Sequence, residues 1–392
     1  MSKLVYTSLL LFTFWAVDQK QLKPVSIHKI KEYLVTESVF KGTQSLQFSK
    51  IIRSYRIISL ETKAICLIKD IRKISGFGSR LFILNSANNG GIFIFDKNGK
   101  FINSVKRNGQ GPGEYIKLLD FSIDHRGWIY LLCKSGKIIL LDNSLKYVKE
   151  FKLSGSKEMF EGARLAVGED FIAITGVNPF EKKLVVTDLE GGFKNFLASD
   201  MRQGSHFKEN LSELNDEVLF NNRFCDTIFR VNSDRLTPVI YFNFGKRSLG
   251  PIEYRKASNS QSDPPNPIIG HDYLQIFDFE ECNSLIINTI TGMIGKDATT
   301  YLQLIRKTDN AQLFRTFVGS NDYFDLHFNS PIGNVWNGEY LATYYQSVDL
   351  VEKFNSLKKN MGSTAVLQKY PVLDSVCRAI DIDSNPVLFL FK

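Results

Sequence analysis

Gly91-Ile92-Phe93-Ile94-Phe95-Asp96-Lys97-Asn98-Gly99-Lys100-Phe101 is the stretch whose reading decides the fold. An apolar run rich in Ile and Phe is interrupted by Asp-Lys-Asn-Gly and resumes, the pattern of two strands joined by a tight turn. The pattern returns over residues 137–147 and 183–193. The aspartates that open the three turns stand at 96, 142 and 188, so both intervals are 46 residues. A fourth copy covers 227–236 and a fifth 301–310.

Each hairpin is preceded by another apolar run entered through a polar turn. These runs lie at 80–84, 128–132, 170–174, 217–220, 284–287 and 339–343, which makes six. A period in the forties with about four strands per period is the spacing of a propeller blade. An open stack of such sheets would leave apolar faces bare, so the units should close into a ring. Residues 348–359 carry helical apolar spacing that ends near Gly362. The last residues, 386–392, read as a strand without a following partner, and residues 51–60 supply the missing outer strand from the other end of the chain. The expected fold is an all-β, six-bladed β-propeller over residues 46–392, closed by strands from both termini, with one short helix near the C-terminus.

Composition supports a packed core: 43% of the 392 residues are apolar, and Phe 31 with Tyr 15 against Pro 11 excludes a disordered chain. The formal charge of +8 comes without a basic cluster interleaved with aromatics, so nucleic acid is not an expected partner. Residues 1–17 have the charged start, apolar middle and polar exit of a signal peptide, too short for a transmembrane helix. Residues 18–45 form a lead segment. Export to the periplasm or cell surface is expected, with membrane association only through the N-terminal segment if it stays uncleaved. No cysteine follows that segment, which argues against a lipid anchor. The five cysteines, Cys66, Cys133, Cys225, Cys282 and Cys377, are scattered and mostly set in apolar runs, as buried hydrophobes rather than a disulfide or zinc framework.

Four stretches carry a resemblance: residues 55–62, Gly109-Gln110-Gly111-Pro112-Gly113-Glu114-Tyr115, residues 226–231, and Asn385-Pro386-Val387-Leu388. From about residue 45 to 392 the chain resembles a six-bladed β-propeller family of Bacteroides-type bacteria, distantly like NHL-repeat propellers. The resemblance implies an exported protein, often a lipoprotein; here Val17 stands where the lipidated cysteine would be.

In such a ring the links between blades and the loops between the second and third strands of each blade share one face. The turns after the first and third strands share the other. The first face collects Arg107, Lys134, Lys157, Arg202, His206, Arg223, Lys246, Arg247 and Arg255. The first-strand turns opposite collect Asp124, Glu169, Asp170, Asp216, Glu217, Glu280, Glu281 and Glu339. A basic mouth would steer an anion, with Arg107, Gln110, Glu114, Tyr115, Arg202, His206, Arg223, Arg247 and Tyr254 as its ligand-binding residues. The bland reading is a solvated surface, and for the glycines of 109–113 the bend alone is reason enough, since they permit positive φ there. Catalytic signatures are sparse: there is no nucleophile elbow or zinc-helix motif, and the five histidines are isolated. Asp322, Asp325 and His327 do not share one strand face, so no metal is assigned, and no cofactor is expected. The leading expectation is a monomeric, non-catalytic binding module for an acidic glycan or peptide. A polysaccharide hydrolase or lyase and a protein-interaction scaffold are the alternatives.

Overall fold

The computed structural model describes residues 30–35, 48–153, 163–178, 182–197, 210–221, 226–248, 274–294, 297–316 and 333–392. The lead segment provides β1 (Lys31–Leu34), and β2 (Tyr55–Ser59) follows. Blade I consists of β3 (Ile71–Phe77), β4 (Arg80–Asn85), β5 (Gly91–Asp96) and β6 (Phe101–Val105). Blade II consists of β7 (Leu118–Ile123), β8 (Ile129–Cys133), β9 (Lys137–Leu141) and β10 (Tyr147–Lys152). Blade III runs through β11 (Leu165–Val167), β12 (Ile172–Asn178), β13 (Lys182–Thr187) and β14 (Phe193–Leu197). Blade IV runs through β15 (Asn210–Leu214), β16 (Glu217–Asn221), β17 (Thr227–Val231) and β18 (Leu236–Asn243). Blade V holds β19 (Leu274–Glu281), β20 (Leu285–Ile294), β21 (Asp297–Arg306) and β22 (Gln312–Thr316). Blade VI orders β23 (Gly333–Val335), β24 (Tyr340–Tyr345), β25 (Val387–Phe391) and, outermost, β2. The innermost strands touch in the cycle β3, β7, β11, β15, β19, β23 and back to β3, so the protein is a closed six-bladed β-propeller.

The repeated aspartates have one physical job. Asp96 Oδ1 accepts the N–H groups of Asn98 and Lys100 at 2.8 and 2.9 Å. Asp142 does the same for Ser144 and Lys146, and Asp188 for Glu190 and Gly192. One carboxylate thus satisfies the turn's backbone donors in three successive blades. The residue three places on has positive φ each time, at Gly99, Leu145 and Gly191.

Middle strands are apolar on both faces because each blade is sandwiched between two others. On β4, Leu81 and Ile83 face blade VI while Phe82 and Leu84 face blade II. Similar clusters fill the remaining gaps around the ring.

Blade VI is closed as expected from both ends. Tyr55 pairs with Phe391 and Ser59 with Val387, while β24 holds the other edge of β25. Asn385, 2% exposed, fastens the junction. Its Oδ1 accepts the Ile68 N–H at 2.8 Å, and its Nδ2 donates to the carbonyls of Glu61 and Cys66 at 2.7 and 2.9 Å. The expected helix is α1 (Ser347–Met361), and two shorter ones, α2 (Ser363–Lys369) and α3 (Pro371–Ala379), follow it. The three pack over one face of blade VI through Leu350, Phe354, Val366 and Leu373. The lead segment adds a feature that its sequence did not announce: β1 pairs in parallel with β18, giving blade IV a fifth strand, and Tyr33 is buried against Phe242.

Candidate functional site

The inner strands belong to separate sheets, so side chains must join them across the axis. Lys73 of β3 is the centre of that junction. Its ammonium donates to the Phe121 carbonyl at 2.7 Å, to the Leu165 carbonyl at 3.4 Å and to Glu213 Oε2 at 3.0 Å. Glu213 Oε1 accepts from the Ser122 hydroxyl and from the Val167 N–H at 2.9 Å. Asp120, fully buried and 3.9 Å from Lys73, accepts the Leu165 N–H at 2.8 Å. Asn334 Nδ2 donates to the carbonyls of Glu213 and Glu281. Ser212 donates to Glu280 Oε2 at 2.8 Å. All six blades therefore meet in one polar hub.

Burial and charge act in opposite directions within the hub. Desolvation alone would lower the Lys73 ammonium, but Asp120 and Glu213 together hold it above its ordinary value. Glu280 lacks such compensation. Burial, reinforced by Asp278, pushes its carboxyl up to about 8 against the opposing pull of the Ser212 hydrogen bond and the charges of Lys73 and Arg164.

Above the hub lies a cavity of about 530 Å³. Lys73, Glu213, Glu280 and Asn334 line it, with Phe77, Ile123, Leu211 and Leu214 as apolar patches. Its rim is made of first-strand turns carrying Asp124, His125, Asn215, Asp216 and Asn337. Half of that rim is tied together. Asn215 donates to Asn283 at 3.0 Å, and Asn283 donates to the carbonyls of Gly338 and Asn337 at 2.7 and 3.0 Å. Gly338, at φ +72, allows the close approach, since a Cβ there would lie 2.0 Å from Leu214 Cδ1.

The glycine-rich turn occupies a different place, packed against the outer strand β10. Gly113 donates its N–H to Glu150 Oε2 at 2.8 Å, and Gly111 donates to Glu114 Oε2 at 2.9 Å. A backbone anion nest is present, and the protein's own carboxylates occupy it. Tyr115 is 1% exposed, its hydroxyl donates to the Val105 carbonyl at 3.2 Å, and burial raises it to about 12. Arg107 donates to the Leu145 carbonyl at 2.8 Å. Gln110 is exposed beside a crevice of about 410 Å³ that Glu114 and Tyr115 also line. None of these four residues lines the central cavity. Arg247 is half-buried at the end of blade IV, while Arg202, His206, Arg223 and Tyr254 lie outside the described residues, as do Asp322, Asp325 and His327.

The acidic turns are also less exposed electrostatically than their count suggests. Arg230 pairs with Glu217, Lys194 with Asp170, Lys307 with Glu281 and Lys392 with Glu339. Arg126 pairs with Asp124. Arg230 stands on β17, Lys194 on β14, Lys307 and Lys392 just past the ends of β21 and β25, and Arg126 in the same turn as Asp124, so bases on and beside the blades' third and fourth strands neutralise these acids. Sequence reasoning missed Lys73, Glu213 and Asn334. Its available signal was Asp120 inside the run Leu118-Leu119-Asp120-Phe121, where an unpaired charge would be costly. Among the described residues, Cys66, Cys133, Cys282 and Cys377 are free thiols, no group of His, Cys, Asp and Glu could hold a metal, and no helix is long and apolar enough to cross a membrane.

The family model of a domain of unknown function, DUF4934, matches residues 5–392. No curated protein matches the sequence. Among solved structures, a candidate exported protein of Bacteroides fragilis is 19% identical, with 93% of this chain and 99% of that one covered and a TM-score of 0.69. A protein of unknown function from Bacteroides thetaiotaomicron is 10% identical over 59% of this chain and 58% of its own, with a TM-score of 0.37. BamB from Moraxella catarrhalis is 11% identical over 71% and 84%, also at 0.37. The first of these likenesses supports the propeller fold.

Proposed function

The chain belongs to the DUF4934 family, and from the wall of its central cavity we propose that it is a non-catalytic binding module taking the uncharged end of a glycan or peptide. One observation carries this reading: the only lysine lining the described cavity, Lys73, is held by two carbonyls and a carboxylate. It therefore offers an incoming anion little attraction without losing bonds of its own. The hub makes a stiff floor, and carboxamides beside apolar patches suit a sugar ring, with hydrogen bonds to its hydroxyls and dispersion contact with its C–H face.

We further propose that the site works outside the cytoplasm, with residues 1–17 as the export signal of an NHL-like propeller. The Bacteroides fragilis protein, described as a candidate exported protein, supports this placement. Calorimetry with neutral and acidic oligosaccharides of equal length tests the ligand: neutral binding exceeds acidic binding, and Leu211→Trp, which fills the cavity, abolishes it. Preference for the acidic series would overturn the reading. Cell fractionation tests the location, with mature protein expected to start near Asp18 and intact Met1 in the cytoplasm excluding export.

A further inference from the structure

We infer that Glu280 selects the ligand of the central cavity by donating its carboxyl proton to an acceptor oxygen of an uncharged, hydroxyl-rich molecule. The inference rests on that cavity being the ligand site. Glu280 comes from β19, is 9% exposed and lines the cavity. The Ser212 hydroxyl donates to its Oε2, which leaves Oε1 as the oxygen that carries the acid proton. The charged groups around it are Asp278 on its own strand, Lys73 from β3 and Arg164 beside β11. Lys73 is already shared between Asp120 and Glu213, so ionised Glu280 would be a buried carboxylate without a cation of its own. Burial accordingly holds the acid near 8, and at neutral pH it is a donor.

Asn334 complements it. With Nδ2 directed at the Glu213 and Glu281 carbonyls, its amide oxygen is the atom that can accept. A neutral acid and an amide acceptor in one cavity match a hydroxyl that accepts from one and a hydroxyl that donates to the other. The apolar surfaces of Phe77, Ile123 and Leu214 match the ring between them. An ammonium ligand would instead draw the proton from Glu280, and a carboxylate ligand would face Glu213 and Asp216 on the same wall.

Titration calorimetry of the full chain with maltotriose, cellotriose and xylotriose from pH 6 to pH 9.5 tests this. A neutral trisaccharide should bind at pH 6–7 and weaken about tenfold by pH 9, as the protonated fraction falls. Glu280→Gln, whose amide N–H can replace the acid proton, should bind with no such pH dependence, and Glu280→Ala should lose at least about tenfold at pH 7. Unchanged wild-type binding between pH 6 and pH 9 overturns the role of Glu280 and leaves the cavity as the site. Absence of binding by all three sugars at every pH overturns both readings. A second readout covers poor folding of Glu280→Ala: the carboxyl carbon resonance that disappears in Glu280→Gln should titrate near 8 and move upward with a bound sugar. Titration below 6, or no movement on binding, overturns the inference.

Discussion

The glycine-rich turn and the axial hub are both polar, yet they are built on opposite plans. Residues 109–115 satisfy themselves nearby: Glu114 and Glu150 take the N–H groups of Gly111 and Gly113, the Tyr115 carbonyl takes that of Gly109, and the Tyr115 hydroxyl reaches Val105. The hub draws Lys73, Asp120, Glu213, Glu280 and Asn334 from five blades and reaches the sixth through its backbone. A conspicuous local motif here spends its polar groups on its own bend. A set of charges scattered over the chain is what holds the ring at its centre.

That contrast can be tested. Removing the hub's cation should have the largest effect: Lys73→Met leaves the buried carboxylate of Asp120 and the half-buried one of Glu213 without compensation, at a cost of about 3–5 kcal/mol. Urea unfolding should show it, and Lys73→Met combined with Glu213→Leu should recover part of the loss. Recovery of nothing would mean that the two residues do not act as a pair.

The next effect is one of pH. Glu280 has a folded value near 8 against an ordinary 4.5, so the folded state binds more protons in between and the associated stability falls as pH rises from about 5 to 9. At about 1.4 kcal/mol per unit of displacement the loss is on the order of a few kcal/mol. Urea midpoints across that range should slope downward for wild type and flatten for Glu280→Gln. A rising slope in wild type that is unchanged by the substitution would remove Glu280 from the account.

Smaller effects belong to the turn. Gly113→Ala forces a side chain into φ +74 with its Cβ 2.7 Å from the Tyr147 ring, and should cost about 1–2 kcal/mol. Tyr115→Phe deletes one hydroxyl bond and should cost about 1 kcal/mol. Both are read from thermal melts. Neither should alter trisaccharide affinity, because neither residue lines the central cavity. A change in affinity from Tyr115→Phe would erase the distinction between the two regions.

What could be read from the sequence follows the same division. The period of 46 was legible because Asp96, Asp142 and Asp188 each solve a problem within five residues of themselves. Closure was legible because residues 386–392 form an apolar strand that must find a partner, and β2 is that partner. The hub was not, because no spacing along the chain tells that Lys73 meets a carboxylate 140 residues away. The charge count was incomplete for a related reason: tallying acids in the first-strand turns omits bases such as Lys194 and Arg230 on the neighbouring third and fourth strands. The parallel pairing of β1 was equally hidden, since four residues, Lys-Glu-Tyr-Leu, carry no periodic signal of their own.

Blade VI also imposes an order of events on synthesis. Its outer strand, β2, emerges early, whereas β25, which separates it from β24, follows about 330 residues later. At roughly 5–20 residues per second, β2 waits for tens of seconds before its neighbour exists. The hairpins of blades I to V can form during that interval, but the ring cannot. A nascent chain halted before Val387 should therefore be digested by protease at blade VI, and extending it through Phe391 should confer resistance. Until β25 is made, blade VI lacks its third strand and the ring stays open, whatever the other five blades have done.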